Sequence, residues 1–161
     1  MLYLNLFLQG IVQGSIYALI AVGLTLVYGL LRILHVAHAG LFTLGAYIAV
    51  TVTNATGSLE LAVLASVAVT GLAGMAIYRL LYQPILDQPP FVALIASIGL
   101  FIAMEEAFRL IFGPYGLSYI APPGMATVTF GGLFLSRAQI VLMVVTALLL
   151  GGLGLLAERT R

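Results

Sequence analysis

Residues 9–47 read QGIVQGSIYALIAVGLTLVYGLLRILHVAHAGLFTLGAY, and this stretch decides the fold. It is apolar enough to enter a bilayer, yet it contains Gln9, Gln13 and two histidines. A polar side chain in hydrocarbon needs a partner within the protein, because lipid tails offer none. We therefore expect this stretch to lie inside a bundle of transmembrane helices and not to serve as a simple anchor.

The composition extends this expectation to the whole chain. Of its 161 residues, 63% are hydrophobic and only 7% are charged, and the mean hydropathy is +1.21. Soluble domains contain about 25% charged residues, so an ordinary soluble fold is excluded. The net charge of +1 provides no nucleic-acid-binding surface, and the absence of cysteine excludes thiolate metal sites. The predicted fold class is all-α, a polytopic transmembrane helical bundle.

Apolar runs near the length of about 20 residues needed to cross a bilayer predict about five membrane segments. We place them near residues 6–31, 41–53, 60–81, 91–112 and 138–157. The first has no Lys or Arg before its apolar core, so we expect a retained helix and not a cleaved signal peptide. Residues 54–58 (NATGS) should form a turn, and the proline-rich residues 82–90 should not continue a helix.

Small residues recur every fourth position in the first segment, at Gly10, Gly14 and Ala18, with Gln13 beside this row. Such spacing allows a second helix to approach closely. We interpret the row as a helix-packing seam, and a helix packed there could also border a substrate path.

A polar interruption follows at residues 29–40, which contain Arg32, His35 and His38. The apolar run Leu41–Thr53 would span only about 20 Å as a helix, which is short for a bilayer. Either the second segment begins before the histidines, or it is a broken helix that opens inside the protein, as in many transporters. His35 and His38 are three residues apart and are predicted to share a helix face. No other His or Cys is present, so we predict no metal site and favour a hydrogen-bonded hinge or interface role.

The fourth segment contains Glu105, Glu106 and Arg109 near its far end. Glu105 and Arg109 have the acid-first, four-residue spacing that favours an ion pair along one helix face, with Glu106 pointing elsewhere. The alternative is that a carboxylate faces the substrate.

Residues 113–137 are rich in turn-forming residues and contain two short β-type runs around Gly131-Gly132, which indicate a short hairpin. The arginine distribution favours an orientation in which the first segment runs from outside to inside and the hairpin is external. That orientation places four arginines inside, namely Arg32, Arg79, Arg159 and Arg161. The two outside are Arg109 and Arg137.

Four strings carry a resemblance to a known family: QGSIYALIAVGLTLVYG (13–29), LRILHVAHAGLFTLGAY (31–47), YQPI (82–85) and LIASIGL (94–100). Together they resemble the permeases of branched-chain amino-acid ABC transporters, whose signature here reads NFAHG followed by an LF-x-LGAY-like run. The resemblance runs along nearly all of this chain and covers roughly the amino-terminal half of such a permease.

The chain also departs from the family pattern. His35 stands where the family usually has Asn, Val36 replaces Phe, and Ala39 replaces the Gly after the histidine. Gln83 replaces an Arg, and the Glu105-Glu106 pair falls where neutral polar residues are more familiar.

The resemblance implies a single transmembrane permease region, residues 1–161, of an importer in the bacterial inner membrane. The implied partners are a second permease subunit, ATP-binding subunits and an extracytoplasmic substrate-binding protein. The chain lacks a phosphate-binding loop motif, so we expect no enzymatic activity and no cofactor, with ATP hydrolysed by the partner subunits. The implied substrates are branched-chain amino acids, and urea or short amides are an alternative.

Two further alternatives stay open. In the resembled family the loop that docks on the ATPase would follow Arg161, so these residues alone should insert but not transport, as a truncated fragment would. An intramembrane enzyme is disfavoured, because its histidines and carboxylates would lie near opposite bilayer faces. As candidates for the substrate pathway or gating we take Gln13, Ser15, Tyr17, His35, His38, Glu105 and Glu106.

Overall fold

A computed structural model describes residues 2–120, 127–130 and 133–159 of the chain. Five α-helices and one hairpin follow in order, with helical turns of other types after the third helix. The elements are α1 (Leu2–Leu31), α2 (His38–Thr56), α3 (Leu59–Ile77), a π-helical turn (Tyr78–Tyr82), a 3₁₀ turn (Gln83–Ile85), α4 (Pro90–Phe112), β1 (Thr127–Phe130), β2 (Leu133–Ser136) and α5 (Arg137–Arg159).

The predicted membrane segments are confirmed in number and approximate position. Among the described residues, four helices are long and apolar enough to cross a membrane, and a shorter apolar helix follows at Gln139–Leu155. Large hydrophobic side chains are exposed along all of them. A soluble protein could not leave this much apolar surface uncovered, whereas a bilayer covers it.

Two predicted boundaries were wrong. The turn predicted at residues 54–58 begins only at Gly57, because α2 continues through Thr56. Gly57 ends the helix with a φ of +69°, and its N–H donates to the carbonyl of Thr53. The predicted break after Tyr82 is also less abrupt, since the 3₁₀ turn carries helical structure to Ile85 despite Pro84.

The chain forms two compact units, Met1–Gly23 with Pro123–Arg161, and Leu24–Pro122. In the first, β1 and β2 pair antiparallel with Phe130 opposite Leu133, which confirms the predicted hairpin. The predicted turn glycines Gly131 and Gly132 lie outside the described residues, and an external position of the hairpin stays a prediction. In the same unit Gln139 donates a hydrogen bond to Gln9 Oε1 at 3.0 Å, so α1 and α5 share an amide pair.

In the second unit, α2 packs against both α3 and α4. The Ser66 hydroxyl of α3 donates to the carbonyl of Gly45 in α2 at 2.7 Å. On the α4 side, a Cβ added at Gly40 would lie 2.9 Å from the sulfur of Met104. Glycine permits both close approaches, because a Cβ added at Gly40 or Gly45 would lie within 3.3 Å of a side-chain atom of the facing helix.

The threonines of α2 do not need partners on other helices. The hydroxyls of Thr43, Thr51, Thr53 and Thr56 each donate to the carbonyl four residues earlier in α2. This local bond satisfies the hydroxyl within the helix, so threonine is compatible with a membrane span.

The contact at Gly40 gives a stability prediction. We expect Gly40→Leu to destabilise the protein by about 1–3 kcal/mol, because the added side chain overpacks the contact with Met104. Thermal unfolding in detergent should show this as a drop of several degrees. Adding Met104→Ala should restore part of the loss.

The matched control is Gly99→Leu in α4, since an added Cβ there meets no atom within 4 Å. Equal melting temperatures for Gly40→Leu and Gly99→Leu would contradict the close approach of α2 and α4.

Candidate functional site

The segment between α1 and α2, residues 32–37, is folded into the protein. Arg32 leaves α1 with a φ of +53°. Exposed and buried residues then alternate, and Ile33, His35 and Ala37 are the buried ones. The chain breaks before α2, which begins at His38 and has 19 residues, so it is longer than the predicted run Leu41–Thr53. An opening of this helix inside the protein stays a prediction.

His35 contacts a residue at the end of the third span. Its Nδ1 atom lies 2.6 Å from the hydroxyl of Tyr82, and both side chains are buried. Burial, and then the neighbouring His38, lower the pKa of His35, which favours the neutral ring. In the neutral ring Nδ1 can accept from the Tyr82 hydroxyl, and in that tautomer Nε2 bears the ring proton.

The π-helical turn positions Tyr82 for this contact. It follows α3 directly, and the wider turn shifts the residues after Ile77 relative to an uninterrupted α-helix. Tyr82 packs with Ile33 and Ala93 in a buried cluster that is bordered by Ile77, Leu81 and Ile85. π-turns within α-helices are frequent at functional sites.

One backbone N–H just before α2 finds its hydrogen-bond acceptor on α4. The N–H of Ala37 donates to the Ser97 hydroxyl at 3.0 Å, and both residues are completely buried. Ser97 is seven residues beyond Pro90, about 10 Å along a helix. The start of α2 is therefore set about 10 Å into the bundle relative to the start of α4.

A cavity of about 240 Å³ lies beside this break. Both histidines border it, and their ring centroids are 6.3 Å apart. The prediction that they share a helix face was wrong, because His35 precedes the helix. A turn brings the two residues together instead, and in it the His38 N–H donates to the His35 carbonyl. The remaining wall comes from α1, α2, α3 and the π-turn, at Val27, Leu41, Gly74, Ile77, Tyr78 and Tyr82.

A larger groove of about 550 Å³ runs between α2 and α3. His38 and Leu41 line both this groove and the smaller cavity, so the two spaces adjoin at these residues. Ser66 and Thr70 border the groove, and the Thr70 hydroxyl is buried without a hydrogen-bond partner.

The opposite end of this unit is closed by a different set of contacts. Asn54 at the end of α2 donates to the Ser118 carbonyl at 2.8 Å and accepts from the Ile120 N–H at 2.9 Å. Tyr47 stacks on Phe112, with ring centroids 4.1 Å apart. These contacts hold the chain after α4 against α2.

The predicted ion pair of α4 was wrong in its partner. Arg109 contacts Glu106 at 3.0 Å, three residues away, and not Glu105. Both side chains are more than half exposed, so the pair contributes little to stability. Among the described residues, nothing hydrogen-bonds to the Glu105 carboxylate.

Of the candidate residues, the structure brings together only His35 and His38. Glu105 and Glu106 lie toward the far end of α4, 8 and 9 residues after Ser97. The three α1 candidates belong to the other compact unit; Gln13 and Tyr17 are exposed, and the Ser15 hydroxyl donates to the Ile11 carbonyl within the helix.

Among the described residues, no helix packs closely against the predicted seam of small residues on α1. A Cβ added at Gly10 or Gly14 meets no atom within 4 Å, and Ala18 is partly exposed. A packing role for this row therefore stays a prediction. In the part of the chain that the structure describes, no cluster of three His, Cys, Asp or Glu side chains could hold a metal ion.

Tyr82 and Ser97 were not predicted from the sequence as functional residues. Both lie in strings that carried the family resemblance, Tyr82 in YQPI and Ser97 in LIASIGL. The family resemblance pointed to these two strings, but it could not show that Tyr82 and Ser97 contact His35 and Ala37.

Comparisons with known proteins point to one family. The model of the branched-chain amino acid transport system permease component matches residues 6–161. The chain is similar to the high-affinity branched-chain amino acid transport system permease protein BraD of Pseudomonas aeruginosa, at 33% identity over 99% of the chain and 56% of that protein.

Two permease proteins named LivH, of the same high-affinity type, are also similar. The Escherichia coli protein is 30% identical and the Salmonella typhimurium protein 29%, each over 69% of the chain and 39% of the relative. The chain thus spans about half the length of the curated relatives it matches, 56% of BraD and 39% of LivH. No solved structure was found to match it.

The His35–Tyr82 contact can be tested by removing one hydroxyl. We expect Tyr82→Phe to lower the free energy of unfolding by about 1–3 kcal/mol, because it leaves a buried imidazole nitrogen without a partner. The double variant His35→Leu/Tyr82→Phe should lose less free energy of unfolding than the sum of the losses in its two single variants. Replacing both partners with apolar groups leaves no buried polar atom without a hydrogen bond.

Tyr28→Phe is the matched control, because the Tyr28 side chain is 52% exposed. The measurement is thermal unfolding of the four variants in one detergent. Additive losses in the double variant would contradict a direct His35–Tyr82 bond.

Proposed function

The chain belongs to the family of branched-chain amino acid transport system permease components, and from this premise we propose that it forms part of the substrate pathway of an ABC importer. The proposed substrates are branched-chain amino acids, and the proposed location is the inner membrane of a bacterium. The permease role is not enzymatic.

One observation supports a role in the pathway itself: α2 begins inside the bundle, at a polar break that borders a cavity. Transporters commonly build substrate sites at discontinuous helices, because the break supplies polar groups at membrane depth. In this chain the His35–Tyr82 pair and the Ala37–Ser97 bond hold the break, and His38 borders two adjoining spaces.

The cavity walls agree with the proposed substrate class. They are mostly aliphatic, with a few imidazole and phenol groups. A binding site with apolar walls and few polar groups suits a small molecule that is aliphatic at one end and polar at the other.

The transport cycle needs components beyond this chain. We propose a second permease subunit, ATP-binding subunits that hydrolyse ATP, and an extracytoplasmic substrate-binding protein. The relatives' names support such an assembly, since BraD and LivH are each named as the permease protein of a transport system. With the orientation favoured by the arginines, the break at residues 32–37 lies toward the cytoplasm.

Uptake in cells tests the proposed function. Cells that contain a permease of which this chain forms part, together with the cognate transport subunits, should take up radiolabelled leucine in an energy-dependent way, and cells that lack only that permease should not. Excess valine or isoleucine should compete, because the aliphatic walls accept either side chain, whereas urea and acetamide should not.

The control variant is Ile111→Ala, whose side chain is 70% exposed on α4 and should leave uptake unchanged. Competition by urea or acetamide without competition by valine would indicate the amide-permease alternative. Equal leucine uptake with and without that permease would contradict a transport role.

A further inference from the structure

The cavity at the start of α2 has an aliphatic wall and a polar wall. Val27, Leu41 and Ile77 form the aliphatic part, and the two histidines with Tyr78 and Tyr82 form the polar part. Of the residues that the structure describes, no acidic or basic side chain other than histidine lines it. Its volume of about 240 Å³ is below the roughly 300–1,000 Å³ of sites for drug-sized ligands, so it suits a small molecule.

The histidines bring unused hydrogen-bonding groups to this cavity. Tyr82 occupies Nδ1 of His35, so the remaining nitrogen, Nε2, is an N–H donor. Among the described residues, that nitrogen has no partner, and neither ring nitrogen of His38 has one. Each imidazole bears at least one N–H in either protonation state, so the two rings bring two donors to the cavity.

The separation of the two rings fits a carboxylate. Their centroids are 6.3 Å apart, with ring planes inclined by 56°. Two N–H···O bonds of about 2.9 Å, one to each oxygen of a single carboxylate, can bridge a gap of this size. Bonds to an ionised acceptor are about twice as strong as neutral ones, so a carboxylate is favoured over an amide.

We propose that this cavity is a subsite for the carboxylate group of a small branched aliphatic acid, an inference that rests on the proposed function and deepens it. His35 and His38 donate to the carboxylate, and the aliphatic wall contacts the branched chain. No carboxylate is among the described residues that line the cavity, so the ammonium group of an amino acid has no side-chain counter-ion here.

Protection of a single cysteine tests this subsite. The chain has no cysteine of its own, so Tyr78→Cys places one thiol in the cavity wall. Membranes that contain the variant with its transport partners are labelled with N-ethylmaleimide in the presence of isocaproate, which is leucine without its amino group, or of isocaproamide. Isocaproate should halve the labelling rate at a concentration at least about tenfold lower than isocaproamide, about 1.4 kcal/mol in favour of the carboxylate.

Two controls separate binding from indirect effects. Gln88→Cys lies in the exposed connection before α4, and neither compound should slow its labelling. In the Tyr78→Cys background, His38→Ala should remove the preference for isocaproate, and His38→Gln, which keeps an N–H donor, should restore part of it. If His38→Ala fails to reach the membrane, the comparison of the two compounds without it still decides.

The subsite is wrong if isocaproamide protects as well as isocaproate, or if neither slows labelling of Tyr78→Cys. This result is distinct from failure of the proposed function. A preference for isocaproate without leucine uptake would support the subsite and contradict the proposed function. Leucine uptake without that preference would support the function and contradict the subsite.

Discussion

A backbone amide buried in a membrane protein must find an acceptor within the protein, and the hydrogen bond from Ala37 to Ser97 meets this constraint at the start of α2. Where the chain leaves a helix, several such groups lose their helical partners, and each costs several kcal/mol if it is buried and left unpaired. Turns within residues 34–39 satisfy some of them, and Ser97 supplies an acceptor from another helix. The position of the break along α4 therefore depends on this one serine.

Other features of the second unit follow from that position. With the start of α2 held against α4, Gly40 comes close enough to Met104 that only a glycine fits without a shift. His35 is directed toward Tyr82, and its ring closes one side of the cavity. The cavity lies beside this break, and both histidines border it.

The sequence predicted the membrane segments well, since crossing a bilayer depends on length and apolar composition, which are properties of each segment alone. Hairpin pairing at Thr127–Ser136 was predictable for a similar reason, because β-type runs flanking two glycines carry a local signal. Partner choice was not predictable. Tyr82 is 47 residues from His35, and Ser97 is 60 from Ala37, distances at which no local pattern operates. Even within α4, the spacing allows Arg109 to pair with either Glu105 or Glu106. The conformation of the Arg109 side chain selects Glu106.

The most direct test of this account is amide hydrogen exchange across residues 33–40 in lipid nanodiscs, compared between the native chain and Ser97→Ala. The account predicts slow exchange in this segment although most of it is not helical, and acceleration of about tenfold or more in Ser97→Ala, because Ala37 loses its acceptor. Ser66→Ala is the matched control, since it removes a hydroxyl that donates to another helix and leaves no amide unpaired near residue 37. Fast exchange of residues 33–40 in the native chain, as for an exposed loop, would contradict a break that is folded into the bundle.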